Sequence, residues 1–188
     1  MKYMTSSLLA MLMFFCGMTQ APVKTDSVFF GAIDSVLQDF PQNLRNIAGD
    51  TLLQEGEVDR FASKVKLPGA LTCIISRYHS NIDTTPSWQA KMYEDEDYSK
   101  AADQYHRLFR LLKKCYVQLS DGSIARLEGE WEPPREDVAF ASSSFHIDSP
   151  VWRYRKVKVD IELVYRLSDW VVNINIMSKE EDDKDWSK

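Results

Sequence analysis

The sequence has few of the residues on which nucleotide-binding and metal-binding motifs depend. Its 188 residues include seven glycines and three histidines, and neither Gly-x-Gly-x-x-Gly nor Gly-Lys-Ser/Thr occurs. Their absence argues against a loop that cradles phosphate groups. Cys-x-x-Cys and His-Glu-x-x-His are missing too, so the common zinc-binding spacings are excluded. The sequence therefore predicts no cofactor and no metal.

The sequence also lacks an apolar run of the roughly 20 residues that a membrane-spanning helix needs. Its N-terminal apolar stretch covers residues 8–15, follows Lys2, and is succeeded by small and polar residues up to Ala21. This layout predicts a secretory signal peptide over residues 1–21. Cleavage after Ala21 and lipid attachment at Cys16 both stay open. We expect an exported protein, either periplasmic, secreted or an outer-envelope lipoprotein.

Basic residues are fewer than acidic ones: the chain has 23 Lys and Arg and 28 Asp and Glu, which gives a net charge of −5. An acidic surface binds nucleic acid poorly, so we expect no nucleic-acid partner, and membrane contact only through a lipid anchor. Hydrophobic residues make up 44% of the chain, which favours a folded protein. We predict one domain over residues 22–178 and an acidic flexible tail over residues 179–188.

Two segments have the spacing of amphipathic helices. The first covers about residues 26–39, has an apolar stripe on one side and ends at Pro41. The second covers about residues 97–116, with acids at its start and bases at its end, which complements the helix dipole.

The rest of the chain alternates apolar and polar residues, with a turn signal at Pro68-Gly69, and so predicts strands. The fold class expected is α+β, an antiparallel sheet of about six to seven strands with the two main helices packed on one face. The order helix, three strands, helix and about four strands suggests a weak twofold repetition. The predicted core includes Phe30, Ile33, Leu37, Cys73, Ile75, Leu108, Leu112, Val159, Ile161, Leu163 and Ile174.

Two cysteines lie outside the predicted leader. Cys73 is on the apolar side of a predicted strand, and Cys115 is on the apolar stripe of the second helix. A helix lying on a sheet brings such positions together, and an oxidising compartment favours their oxidation. We therefore predict a Cys73–Cys115 disulfide, with two buried free thiols as the alternative.

A hydroxyl, an imidazole and a carboxylate follow one another in the segment from Ser142 to Asp148. On a strand, Ser144, His146 and Asp148 share a face, but alternate residues lie roughly 6.5–7 Å apart, beyond direct hydrogen-bond reach. No Gly-x-Ser-x-Gly turn occurs. The pattern favours a polar strand edge over a catalytic triad, and no catalytic residue is assigned.

Two further groups contain metal-ligand residue types. One is His79, Asn81 and Asp83, and the other is the acidic run over residues 94–97. The acidic run lacks the alternating ligands and the glycine of a calcium loop, so it is typical of a solvated helix start.

The best candidate for binding is an aromatic and basic segment in the longest predicted strand, residues 152–166. Trp152, Tyr154, Lys156 and Lys158 share the side opposite the aliphatic residues. Exposed aromatic rings beside two cations can recognise a protein, a glycan or a carboxylate. The alternative is an outward sheet face on which lysine stems cover the rings.

These observations favour an exported protein of non-enzymatic type that binds a protein or a small-molecule ligand through a sheet face. One alternative is a hydrolase or metal-dependent enzyme whose site is drawn from separate loops, using His146, Asp148 or His79. Another is an inhibitor or immunity-type protein that blocks one dedicated target.

Overall fold

A computed structural model describes residues 23–80, 84–119, 121–149 and 151–178. The predicted leader with Cys16 and the predicted acidic tail lie outside these ranges. Within them, no helix is both long and apolar enough to cross a membrane. The elements in chain order are α1 (Val23–Asp39), a 3-10 turn (Phe40–Gln42), β1 (Ala48–Glu55), β2 (Val58–Ser63), β3 (Thr72–His79), β4 (Thr84–Asp95), α2 (Tyr98–Leu112), β5 (Tyr116–Gln118), β6 (Ile124–Gly129), β7 (Phe140–Ile147), α3 (Trp152–Arg155), β8 (Val157–Arg166) and β9 (Asp169–Ser178).

The strands form one antiparallel sheet in the order β1-β2-β3-β4-β9-β8-β7-β6-β5. Each long helix precedes one group of strands, β1 to β4 after α1 and β5 to β9 after α2. The two groups join in the middle of the sheet, where β4 pairs with β9, the last strand of each group. The arrangement matches the repetition of helix and meander that the element order suggested.

The α+β class, the antiparallel sheet and the two main helices are confirmed, but the predicted strand number is wrong, because the sheet has nine strands. The prediction missed β1 and β5. Strand β1 lies at the sheet edge with a bulged register and no alternation of burial, so it has no period-two signal. Strand β5 is only three residues long.

The two helices do not pack side by side on one face of the sheet, as was expected. Helix α2 packs against β4, β8 and β9 in the centre of the sheet, whereas α1 contacts β5 and the 3-10 turn that follows it. Helix α2 begins at Tyr98 because the Asp97 side chain accepts a hydrogen bond from Lys100 N (3.2 Å), which caps the helix. It ends at Leu112, four residues before the predicted end.

The predicted core is confirmed, since all of its members are buried except Phe30, which is half-buried against the core. Trp88 is among the largest fully buried side chains. Its Nε1 donates a hydrogen bond to Ser63 Oγ at 2.9 Å, which satisfies the only polar atom of the indole.

The predicted Cys73–Cys115 disulfide is wrong, because both residues are buried free thiols in the structure. Cys73 pairs with Ala90 across β3 and β4, while the Cys115 carbonyl accepts from Leu127 N of β6 (3.3 Å). Four other strands lie between β3 and β6 in the sheet, so a shared apolar core does not place the two sulfurs together. Burial raises the pKa of Cys73, and raises that of Cys115 to about 12.

We expect both thiols to react slowly in the folded protein. A thiol reagent needs the thiolate, and burial limits both its formation and its access. Alkylation at pH 8 followed by peptide mass spectrometry should label Cys73 and Cys115 far faster in urea than in buffer. A disulfide-linked peptide pair containing Cys73 and Cys115 in an unreduced digest would contradict this expectation and support the disulfide.

Candidate functional site

The face of the sheet opposite α2 carries a row of polar side chains across four neighbouring strands. The register aligns Gln89 of β4 with Asn175 of β9, Asn175 with Asp160 of β8, and Asp160 with Ser144 of β7. We call these four residues the polar row. The next residues along the strands point to the other face and are buried in the core, namely Trp88, Ile176, Val159 and Phe145.

Asp160 is the most unusual member of the polar row, because it is a carboxylate with only 4% of its surface exposed. Lys158 Nζ lies 3.1 Å from its Oδ2. Its Oδ1 has no hydrogen-bond partner among the described residues. Next to it, Gln89 Nε2 donates to Asn175 Oδ1 at 2.8 Å. The centre of this face is therefore a polar network with one unsatisfied acceptor.

A cavity of about 660 Å³, the β7 cavity, adjoins the row at Ser144. Ser142, Ser144 and His146 of β7 line one side. The opposite side is the end of β6 and the following segment, residues 128–133, which contributes Glu128, Glu130 and Glu132. His146 Nε2 lies 4.0 Å from Glu128 Oε2. The cavity therefore combines hydroxyl groups with three carboxylates.

The wall of the β7 cavity is held in place by helix α2. The ring of Trp131 packs 4.9 Å from Phe109 and 5.1 Å from Tyr105, measured between ring centroids. Ser143 Oγ lies 2.7 Å from Tyr105 Oη and accepts a hydrogen bond from Glu132 N (2.9 Å). Burial raises the pKa of Tyr105 to about 12, so its hydroxyl stays protonated at neutral pH. The acidic segment is thus tied to the core.

The structure brings together part of the predicted Ser-His-Asp cluster. Ser142, Ser144 and His146 lie on one face of β7 and line the cavity, whereas Ser143 points to the other face and Tyr105. Asp148 lies beyond the end of β7, exposed and outside the cavity lining. Among the described residues, no hydrogen bond joins Ser144 to His146.

The predicted aromatic and basic face does not form. Residues 152–155 are a short helix, and β8 begins only at Val157, so the alternation does not reach Trp152 and Tyr154. Tyr154 is 2% exposed, which corrects the expectation of an open ring. The Trp152 side chain lies outside the description, Lys156 is exposed, and Lys158 pairs with Asp160. That these four residues bind a ligand stays a prediction.

Of the candidate metal ligands from His79 to Asp83, the structure describes His79 alone. His79 Nε2 lies 2.7 Å from Asp59 Oδ2, and its Nδ1 lies 3.1 Å from Thr84 Oγ1. Asn81 and Asp83 lie outside the described residues. In the described parts of the chain, no three His, Cys, Asp or Glu side chains are grouped so that they could hold a metal ion.

No protein-family model matches the sequence, and no curated protein is significantly similar to it. The function is therefore argued from the geometry of the polar face. Sequence reasoning had singled out Ser142, Ser144 and His146, but not Asp160 or the three glutamates. The three glutamates are alternate residues of one segment, but they come near Asp160 and the serines of β7 only through the pairing of β6, β7 and β8. The sequence alone does not supply that register.

Proposed function

We propose that this protein is a binding protein that holds an extended basic segment of another protein on the polar face of its sheet. The β7 cavity is the observation that carries the proposal. Three carboxylates line it. Glu128 lies 4.0 Å from His146, whereas Glu130 and Glu132 form no ion pair within the described ranges. Unpaired carboxylates beside a cavity favour a positively charged partner and repel an acidic one.

The size of the polar surface favours a protein segment over a small molecule. The polar row crosses four strands, a width of roughly 14 Å at the usual strand spacing, and the β7 cavity extends it further. An extended segment of about four or five residues covers such a length. Asp160 and Asn175 are buried in the row, so the contacts with the partner are expected at Gln89, Ser144 and the β7 cavity.

The enzyme alternative has less support, because it needs His146, Asp148 or His79 to converge. Only His146 lines the β7 cavity, and His79 lies on β3, where it bonds to Asp59 and Thr84. We also keep two earlier expectations as proposals. One is that the protein is exported to the envelope or beyond, and the other is that it acts as an inhibitor or immunity-type protein. Export would decide in which compartment the protein meets its partner, and inhibition would be the consequence of binding that partner.

The experiment measures fluorescence anisotropy of a short labelled peptide in which lysine alternates with threonine. We expect this peptide to bind, and a peptide with glutamate in place of lysine not to bind. Glu130→Gln with Glu132→Gln should weaken binding about tenfold, because two attractive contacts of roughly 0.7 kcal/mol each are lost. Raising the salt concentration should weaken binding in the same direction.

Glu55→Gln is the matched control, because Glu55 is an exposed acid on β1 at the far edge of the sheet. Its binding should equal that of the parent protein. Equal affinity for the lysine and glutamate peptides, or an equal loss in the control, would refute the proposal. Affinity purification from the native envelope fraction then tests the inhibitor version, which requires one partner in stoichiometric amount.

A further inference from the structure

A second cavity, the hairpin cavity, lies at the other end of the connection between β6 and β7. Its volume is about 630 Å³. Three separate parts of the chain build it: the β8–β9 hairpin, the β6–β7 connection, and Glu96, which lies two residues before the start of α2. The residues that matter here are Tyr165, Trp170, Glu96, Glu136 and Asp137.

One wall of the hairpin cavity is aromatic. Tyr165 and Trp170 are opposite each other at the end of the hairpin, with ring centroids 5.1 Å apart. Tyr98, the first residue of α2, packs behind Trp170 at 4.9 Å. Trp170 is 6% exposed and therefore fixed, whereas Tyr165 is 46% exposed and offers its ring to the solvent. An exposed ring supported by a buried one is a ready surface for stacking.

The other side of the hairpin cavity is acidic. Asp137 Oδ1 pairs with Arg135 Nε at 3.2 Å, but Glu96 and Glu136 form no ion pair among the residues that the structure describes. The two acids of the β6–β7 connection also act electrostatically on Tyr98, which packs on Trp170. Burial raises the pKa of Tyr98, and the charges of Glu136 and Asp137 raise it further.

We propose that the hairpin cavity binds a guanidinium group. This cation is planar, so it can stack on the Tyr165 ring and at the same time donate paired hydrogen bonds to a carboxylate of Glu136 or Glu96. A lysine ammonium is a compact and strongly hydrated charge that matches this combination less well. The aromatic wall distinguishes the cavity from a simple acidic patch.

The inference does not depend on the function proposed above, because it rests on other residues. Trp170 belongs to the core face of β9, whereas the polar row uses the opposite face. Each site can therefore be tested while the other is intact.

The test titrates the full chain with N-acetyl-arginine amide and follows the indole and backbone signals of Trp170 by NMR. Binding in the millimolar range is expected for so small a probe. N-acetyl-citrulline amide, which has the same shape without the charge, and N-acetyl-lysine amide should each bind at least about fivefold more weakly. Equal binding of citrulline would refute the role of charge, and equal binding of lysine would refute recognition of the planar group.

Two variants locate the site. Tyr165→Leu and Glu136→Gln should each weaken binding of the arginine probe about threefold. Tyr78→Leu on β3 is the matched control, because Tyr78 is 47% exposed, nearly the same as Tyr165. Glu55→Gln on the edge strand β1 controls for loss of one exposed negative charge away from both cavities. Binding that survives both site variants, or falls equally in the controls, would overturn the proposal. Glu136 is exposed, so its variant tests the idea even if Tyr165→Leu fails to fold.

Discussion

Replacing Lys158 by methionine is expected to lower the free energy of unfolding by about 2–4 kcal/mol, whereas Asp160→Asn should change it by less than about 1 kcal/mol. The two residues form one ion pair with a distance of 3.1 Å, yet they differ in access to water. Without Lys158, Asp160 keeps a buried charge that has no partner. Without the charge of Asp160, the lysine can extend into solvent, since its side chain is already partly exposed.

Asparagine also suits the surroundings of Asp160. Asn173 and Asn175 of the neighbouring strand are buried amides, and Asn175 pairs directly with Asp160. An amide at position 160 can donate a hydrogen bond where the carboxylate can only accept.

Urea unfolding at pH 7, with slopes compared between variants, measures both changes. If Lys158→Met and Asp160→Asn were equally stable, the buried charge of Asp160 would carry no cost, and the description of the polar row would be wrong. Asp160→Asn should also remain folded enough for the peptide experiment, so it separates the effect of this carboxylate on binding from an effect on stability.

Secondary structure and core residues could be predicted best from the sequence where apolar residues recur at a regular spacing. In β8 the residues from Val157 to Leu163 alternate, and in α2 the apolar stripe recurs at helical spacing, so both elements and their core residues were recognised. Residues 152–155 show where this fails. Two aromatic residues separated by one arginine resemble a strand, but the segment forms a single helical turn, which is too short to have a period of its own.

The candidate sites depend on information that the sequence does not display locally. Gln89 and Asn175 are 86 positions apart, and they meet only because β4 pairs with β9. In the same way, Tyr98 comes from α2, Glu136 from the β6–β7 connection and Trp170 from β9. Periodicity predicts which side of a strand is buried, but not which strand is its neighbour, so neither cavity could be predicted from spacing alone.

Gly129→Ala is expected to destabilise the protein by about 3 kcal/mol and to disturb the β7 cavity, which Gly129 helps to line. Gly129 pairs with Phe145 across β6 and β7. A Cβ atom here would lie 2.5 Å from Phe145 Cδ1 and 2.6 Å from the Ser144 carbonyl oxygen. Neither neighbour can move easily, because the Phe145 ring is buried against Phe109, with centroids 5.0 Å apart, and the carbonyl belongs to the backbone of a paired strand.

Gly31→Ala supplies the matched control, because the same methyl group is added where nothing lies within 4 Å. Gly31 is in the middle of α1, and alanine there should stabilise the protein by about 0.5–1 kcal/mol. Opposite shifts of the urea midpoint in the two variants are therefore expected, together with weaker binding of the lysine peptide in Gly129→Ala only. A midpoint unchanged by Gly129→Ala would mean that β6 does not pack closely on Phe145. The wall of the β7 cavity would then lack the rigid position on which the proposed binding of a basic segment depends.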